Sequence, residues 1–197
     1  MIVWINGAFG AGKTQTSHEL HRRLPDSYLF DPEHAGYYIR RNMPPSVPGK
    51  DDFQDYPMWR EINYAMLKHI RSAYEGTIIV PMTVVNPIYY DEMIGRLRRD
   101  GVTVNHYTLC ASREVLLARL RGRLDSAKSW PARQIDRCIA GLADATFREH
   151  LDTDRLSTAE VVERIAELAK LELQPDRRGR IAKALGRAAT QLRHIRR

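Results

Sequence analysis

Cysteine is scarce in this chain. The two present among 197 residues, Cys110 and Cys138, lie far apart and match no metal-ligand or redox spacing. Both read as reduced thiols, which excludes a disulfide-stapled secreted fold and makes the cytoplasm the expected compartment. Long apolar runs are missing too: none approaches the roughly 20 residues that cross a bilayer, so no spanning helix is expected. Met1 leads directly into an apolar stretch without a charged leader, which argues against a signal peptide. His18-Glu19-Leu20-His21 falls one residue short of H-E-x-x-H, which removes a zinc-hydrolase reading and leaves helix surface. The apolar run at residues 77–82 continues Val80-Pro81-Met82-Thr83 with no acid at its end. The acid that motor ATPases and GTPases place there is therefore missing, and no guanine-reading Asn-Lys-x-Asp occurs.

Acidic charge is nearly lacking from residues 175–197. Eight Lys/Arg stand there against Asp176 alone, which accounts for the whole net charge of +7. Residues 1–174 then carry 23 basic and 23 acidic side chains. The basicity belongs to the tail, and charge gives no support for nucleic-acid binding by the body.

What is present begins with Gly7-Ala8-Phe9-Gly10-Ala11-Gly12-Lys13-Thr14, a fit to G-x-x-x-x-G-K-[ST]. Residues 1–6 are apolar and β-prone, a buried strand feeding the loop. Thr16, Leu20 and Leu24 fall at spacings of a helix that starts at Lys13. Backbone N–H groups can approach a triphosphate only where side chains do not obstruct, which Gly7, Gly10 and Gly12 allow. The helix N-terminus adds N–H groups and a dipole that favours anions. Lys13 is expected on the β- and γ-phosphates of ATP, and the Thr14 hydroxyl on Mg²⁺.

Further along, residues 28–30 read as a second strand that ends in Asp31, followed by a helix over 33–43 with Ala35, Ile39 and Met43 on one face. Residues 44–50 are a Pro/Gly loop. Residues 51–57 alternate acids with aromatics. A helix is expected over 58–74, a central strand over 77–82 with Pro81 at its end, and a helix from Asn86-Pro87 to Asp100. A fourth strand follows over 102–109, a helix capped by Ser112 through Arg123, a polar break over 124–131, and a helix over 132–147. A weak fifth strand (150–154) precedes a last body helix (159–171) capped by Ser157 or Thr158. This alternation predicts an α/β P-loop fold: three layers, a parallel five-stranded sheet, nucleotide-kinase-like. Residues 1–174 form its domain. Residues 175–197 form a basic amphipathic helix with Ile181, Leu185, Ala188, Leu192 and Ile195 on one face. That pattern suits an interfacial anchor on anionic membrane, and equally a helix docked on the body with a solvated basic face.

Candidate chemistry gathers at strand ends, where ligands sit in such sheets. Asp31 is the candidate general base, or a water-mediated Mg²⁺ ligand; as an acid preceding Pro32 it also reads as a helix-start residue. Glu33 reads first as a first-turn acid. Arg119 and Arg123, four apart on one helix face, are the candidate lid arginines over the phosphates, or else a solvated basic face. Asp52, Gln54, Tyr56 and Trp59 are the candidate substrate pocket. Trp4 and Trp130 are assigned to packing.

These residues resemble the tunicamycin-resistance ATP-binding protein family over nearly the whole chain. The similarity is carried by Val3 to Gly10 with Lys13-Thr14, by Phe30-Asp31-Pro32-Glu33, and by Asp51 to Arg60. It extends through Ile79-Val80-Pro81-Met82-Thr83, residues 129–137 and the basic C-terminus. The P-loop is generic; Asp-Asp-Phe-Gln-Asp-Tyr-Pro is much more specific. The resemblance implies a nucleoside- and nucleotide-kinase-like fold, ATP with Mg²⁺, tunicamycin as small-molecule partner, and a C-terminal amphipathic helix linked to peripheral membrane association on the inner face. Three activities remain open on these residues: γ-phosphate transfer to a tunicamycin hydroxyl, ATP-dependent sequestration without transfer, and phosphorylation of an unrelated nucleoside.

Overall fold

The computed structural model describes residues 1–122, 126, 128–179 and 186. Its centre is strand β1 (Ile2–Gly7), in which every residue is buried. Burial of successive residues, whose side chains point to opposite faces, requires cover on both faces of the sheet. Among the described residues the strands are β1, β2 (Ser27–Leu29), β3 (Thr77–Pro81), β4 (Val104–Cys110) and β5 (His150–Asp152), in the order β2-β3-β1-β4-β5. All neighbours pair in parallel, and Trp4 lies opposite Val80 on one side and His106 on the other. The five expected strands all form, each within a residue or two of its expected place.

The helices are α1 (Lys13–Arg23), α2 (Glu33–Asn42), α3 (Pro57–Ala73), α4 (Pro87–Tyr90), α5 (Arg96–Arg99), α6 (Arg113–Arg121), α7 (Trp130–Leu142) and α8 (Thr158–Ala169). The single helix expected over residues 86–100 carries a π-helical stretch, Asp91–Gly95, between α4 and α5. The helix expected to reach Phe147 stops at Leu142, because the Asp144 carboxylate accepts the Thr146 N–H at 2.8 Å and opens a 3₁₀ turn, Ala145–Phe147. That turn drives Phe147 into the core with no exposure. Ser112 stands at the start of α6 without a side-chain cap; its own N–H is accepted by Asp154 at 2.9 Å. Ser157 does cap α8, in a reciprocal pair with Glu160.

The core contains Trp4, Trp59, Leu67, Ile79 and Met93, each fully buried aliphatic contributing about 1.5–3 kcal/mol. Trp4 packs as expected and donates its indole N–H to the Met82 carbonyl at 3.3 Å. Among the described residues no helix is long and apolar enough to cross a membrane.

The chain leaving α8 does not separate at residue 175. Gln174 exchanges hydrogen bonds with Arg23 (2.8 and 2.9 Å), Asp176 pairs with Arg22 at 3.1 Å, and Arg178 pairs with Glu19 at 2.6 Å. Burial works against the Glu19 carboxylate, but the Arg22 and Arg178 guanidiniums outweigh it and hold its pKa below the usual value. The first residues of the basic segment are thus tied to α1. A helix is expected over 175–197, but residues 175–179 are not helical, and beyond them only Gly186 is among the described residues.

Candidate active site

Parallel strands end together, so the loop after β1 sits among the carboxyl ends of β2, β3 and β4. Two glycines explain its shape. Gly7 has φ +146°, and a Cβ there would stand 2.7 Å from the Leu109 carbonyl oxygen; at Gly10, φ +85°, it would stand 2.9 Å from that of Leu116. Gly12 occupies the N-cap position of α1 and offers no side-chain cap. The eleven-residue helix therefore starts without a side-chain cap at its N-cap position. Lys13 Nζ bridges the Gly7 and Ala8 carbonyls, both at 2.9 Å, and stands 5.4 Å from the Phe9 ring centre. The cradle, the uncapped helix start and the lysine fit a polyphosphate.

On one side of the loop lies an inner cleft of about 340 Å³, walled by Lys13, Thr14, Asp31, Asp52 and Gln54, with Phe9 and Trp130 at its rim. Asp31 serves the helix start expected of it and also stands at the cleft. It accepts the Glu33 N–H at 3.0 Å, starting α2, and it lines the cleft, with His34 Nε2 at 3.9 Å from its other oxygen. Glu33 is the first-turn acid expected, accepts the Tyr37 hydroxyl at 2.8 Å, and also lines the cleft. Asp52 is buried, accepts the Gln54 N–H at 3.1 Å, and pairs with Arg137 of α7 at 2.9 Å. Trp130 packs edge-on against Phe9, ring centres 5.2 Å apart, so its packing role falls at the cleft.

Two of the four expected substrate residues are not brought into the cleft. Trp59 has no exposure and donates its indole N–H to the Pro32 carbonyl at 3.0 Å. Tyr56 is buried and its hydroxyl accepts the Lys50 N–H at 2.8 Å. Both belong to the start of α3, where Phe53 covers Trp59 at 5.4 Å between ring centres. Tyr37, Arg40 and Phe53 take their places on the wall. Composition alone did not mark these three, since helix-surface and core aromatics share the same pattern.

A second, outer cleft of about 430 Å³ opens across the loop, lined by Gly10, Gly12, Gln15, Arg119, Thr153 and Leu156 among others. This overturns the expected position of Arg119. Its guanidinium donates to the Thr153 carbonyl at 2.6 Å and hydroxyl at 3.1 Å, on the far side of the loop from Asp31. It is a flat, fixed cation beside the helix start and not an arm over the inner cleft. Arg123, its expected partner, lies outside the described residues.

The site also contains residues that the motif did not mark. Thr83, buried after β3, donates its hydroxyl to the Gly7 carbonyl at 2.8 Å. Cys138 is buried beneath Phe9, and burial pushes its thiol pKa up. Among the described residues no group of three or more His, Cys, Asp or Glu could hold a metal. Mg²⁺ fits this donor set only as the partner of bound phosphates, with a hydroxyl and carboxylate as the protein's few hard oxygens.

A P-loop seated on a parallel β2-β3-β1-β4-β5 sheet, with one cleft on each side of its helix start, defines a P-loop kinase-like α/β domain. The family model described as AAA domain matches residues 2–145, and the chain belongs to that family. Within it the chain belongs to the tunicamycin-resistance ATP-binding proteins. The tunicamycin resistance protein of Deinococcus radiodurans is 33% identical, with TM-score 0.74 over 89% of this chain and 99% of that one. A sugar kinase from Janibacter (19% identity, TM-score 0.59, 86% and 94% covered) shares the fold. So does a shikimate kinase from Bacteroides thetaiotaomicron (20%, 0.55, 87% and 99%). Among curated proteins, none matches.

Proposed function

We propose that this protein binds ATP with Mg²⁺ and transfers the γ-phosphoryl group to a hydroxyl of tunicamycin, acting as an antibiotic-resistance kinase. The observation that carries this reading is Asp31: a carboxylate on the wall of the same cleft as Lys13 and Thr14, held in place by the Glu33 N–H. The P-loop N–H groups and Lys13 cradle the phosphates, and the Thr14 hydroxyl holds Mg²⁺, which neutralises phosphate charge. Lys13 exchanges its two carbonyl partners for phosphate oxygens. Asp31 takes the proton of the acceptor hydroxyl as its oxygen bonds to phosphorus; the bond from phosphorus to the β–γ bridging oxygen breaks and ADP leaves. Asp52 and Gln54 contact the acceptor. The adenine lies in the outer cleft with Arg119 against its face.

One observation favours a second reading, in which the drug is held with ATP and released unchanged: residues 80–83 supply no acid at the end of β3. Mass spectrometry of tunicamycin incubated with protein and Mg-ATP separates the two. A gain of one phosphoryl mass supports transfer; unmodified drug with saturable, ATP-dependent binding supports sequestration.

The tail reading rests on its charge and apolar spacing. Residues 175–197 bind the anionic inner face of the membrane, each basic residue contributing about 1 kcal/mol near the surface, less at high salt. Equal co-sedimentation of full-length and truncated protein with anionic vesicles rules this out.

A further inference from the structure

Beneath the phosphate loop lies a buried polar network that neither cleft uses. Asn6, with no exposure, is the last residue before Gly7. Its carbonyl oxygen accepts two backbone N–H groups, Gly7 at 2.8 Å and Val84 at 2.9 Å. Its amide nitrogen donates to the Val84 carbonyl at 2.8 Å. Those three bonds leave the amide one orientation. The nitrogen also lies 3.1 Å from His106 Nε2. An amide nitrogen only donates, so Nε2 must be the acceptor, and the ring hydrogen must sit on Nδ1, which faces the Arg148 carbonyl at 3.4 Å. The hydrogen-bond partners therefore assign the tautomer: neutral, Nδ1–H.

The consequence reaches the site in two directions. Gly7 is fixed at its N–H by Asn6 and at its carbonyl by Thr83. The segment held through Val84 carries Pro81, Met82 and Thr83, which floor the inner cleft. We propose that His106 is a positioning residue for phosphate binding: as an uncharged acceptor it fixes Asn6, and Asn6 sets the first peptide of the P-loop against the cleft floor. A protonated ring would turn a second donor toward the Asn6 amide and break the arrangement.

The surroundings keep the ring neutral. It is buried, with Tyr90 and Phe147 edge-on or tilted at 5.0 and 6.2 Å between ring centres. The titratable groups facing it are Arg98 from α5, His150 from β5, Tyr90 from α4, and Arg148 with Glu149 on the strand approach. Burial, chiefly, pushes its pKa down to about 4 against the opposing Arg148 carbonyl, with Arg98 and His150 adding to the lowering. Around neutral pH the clamp is therefore set.

The test uses the full-length protein. In the ligand-free wild type, nitrogen NMR of His106 is expected to show Nδ1–H and an unprotonated Nε2 from pH 8 down to about 5; an Nε2–H tautomer overturns the proposal on its own. Mg-ATP affinity by calorimetry should be flat between pH 6 and 8 in the wild type. Asn6→Asp replaces the donor by an acceptor that faces both His106 Nε2 and the Val84 carbonyl. The carboxylate favours a doubly protonated ring, so the His106 pKa should rise above 6.5, and with the Val84 bond lost Mg-ATP affinity should be at least tenfold below wild type at every pH. His106→Phe should weaken Mg-ATP binding at least tenfold at every pH, and His106→Gln, which keeps an acceptor at the same reach, should restore most of it. An unshifted His106 pKa in Asn6→Asp, or wild-type affinity in folded Asn6→Asp or His106→Phe, overturns the positioning role. Since the tautomer is read without nucleotide, its failure is distinct from failure of the ATP reading.

Discussion

The two clefts beside the P-loop share the glycines and the start of α1 but differ in character. The inner cleft gathers ionisable groups: Lys13, Asp31, Glu33, Arg40 and Asp52 meet there with four aromatic side chains at its walls. Among the described residues the outer cleft is lined by one guanidinium, Arg119, with glycines, hydroxyls and leucine. Charges that face one another can move protons and stabilise developing charge; a single fixed cation on an otherwise uncharged wall can only bind. In the proposed reaction, transfer falls to the inner side and base recognition to the outer, where Arg119 is anchored on Thr153.

The largest effect expected is at the boundary both clefts share. Lys13→Ala removes the charged donor on the phosphates, and Mg-ATP affinity should fall by roughly two orders of magnitude or more, with resistance lost in cells. A well-expressed variant conferring full resistance would end the ATP-dependent reading. Next, Asp31→Asn should leave Mg-ATP affinity intact and lower transfer by about 10²–10⁴-fold. Preserved drug affinity with preserved resistance would take Asp31 out of the mechanism and favour sequestration. On the outer side, Arg119→Ala should weaken Mg-ATP by roughly tenfold, the worth of about 1–2 kcal/mol of cation–π contact, without changing drug affinity. Weakened drug binding with unchanged ATP binding would reverse the assignment of the clefts. The smallest effect is at Arg137→Met. It leaves buried Asp52 without its cation, but Arg137 is itself 45% exposed, so solvent screens much of the pair. A loss of about 1 kcal/mol, or roughly 2–4 °C in Tm, should accompany weaker drug binding. Unchanged drug affinity would make the pair a purely structural tie.

Legibility differed between the same two regions. The P-loop and its flanking strand and helix were readable because they are local: glycines, Lys-Thr and apolar periodicity all fall within 24 residues. Asp31 and Asp52 were also found, since each ends or opens an element. Tyr56 and Trp59 were misplaced because an aromatic beside acids reads alike whether it lines a cleft or roofs a core. Only the burial of Trp59 under Phe53 separates the cases. The side of the loop on which Arg119 lies could not be read from a spacing of four on a helix. Its direction depends on Thr153, 34 residues away.

The chain by itself determined the parallel α/β order, the phosphate loop and the confinement of net charge to residues 175–197. These follow from backbone preference, hydrophobic period and counting, which act over short distances along the sequence. Tertiary structure alone decided which carboxylates and rings meet in one cleft, that Asp176 and Arg178 fasten the tail's start to α1, and that Asn6 and His106 meet beneath the loop. His106 is 100 residues from Asn6. Its tautomer is set by partners that only the folding of β1, β3 and β4 into one sheet brings within hydrogen-bond distance.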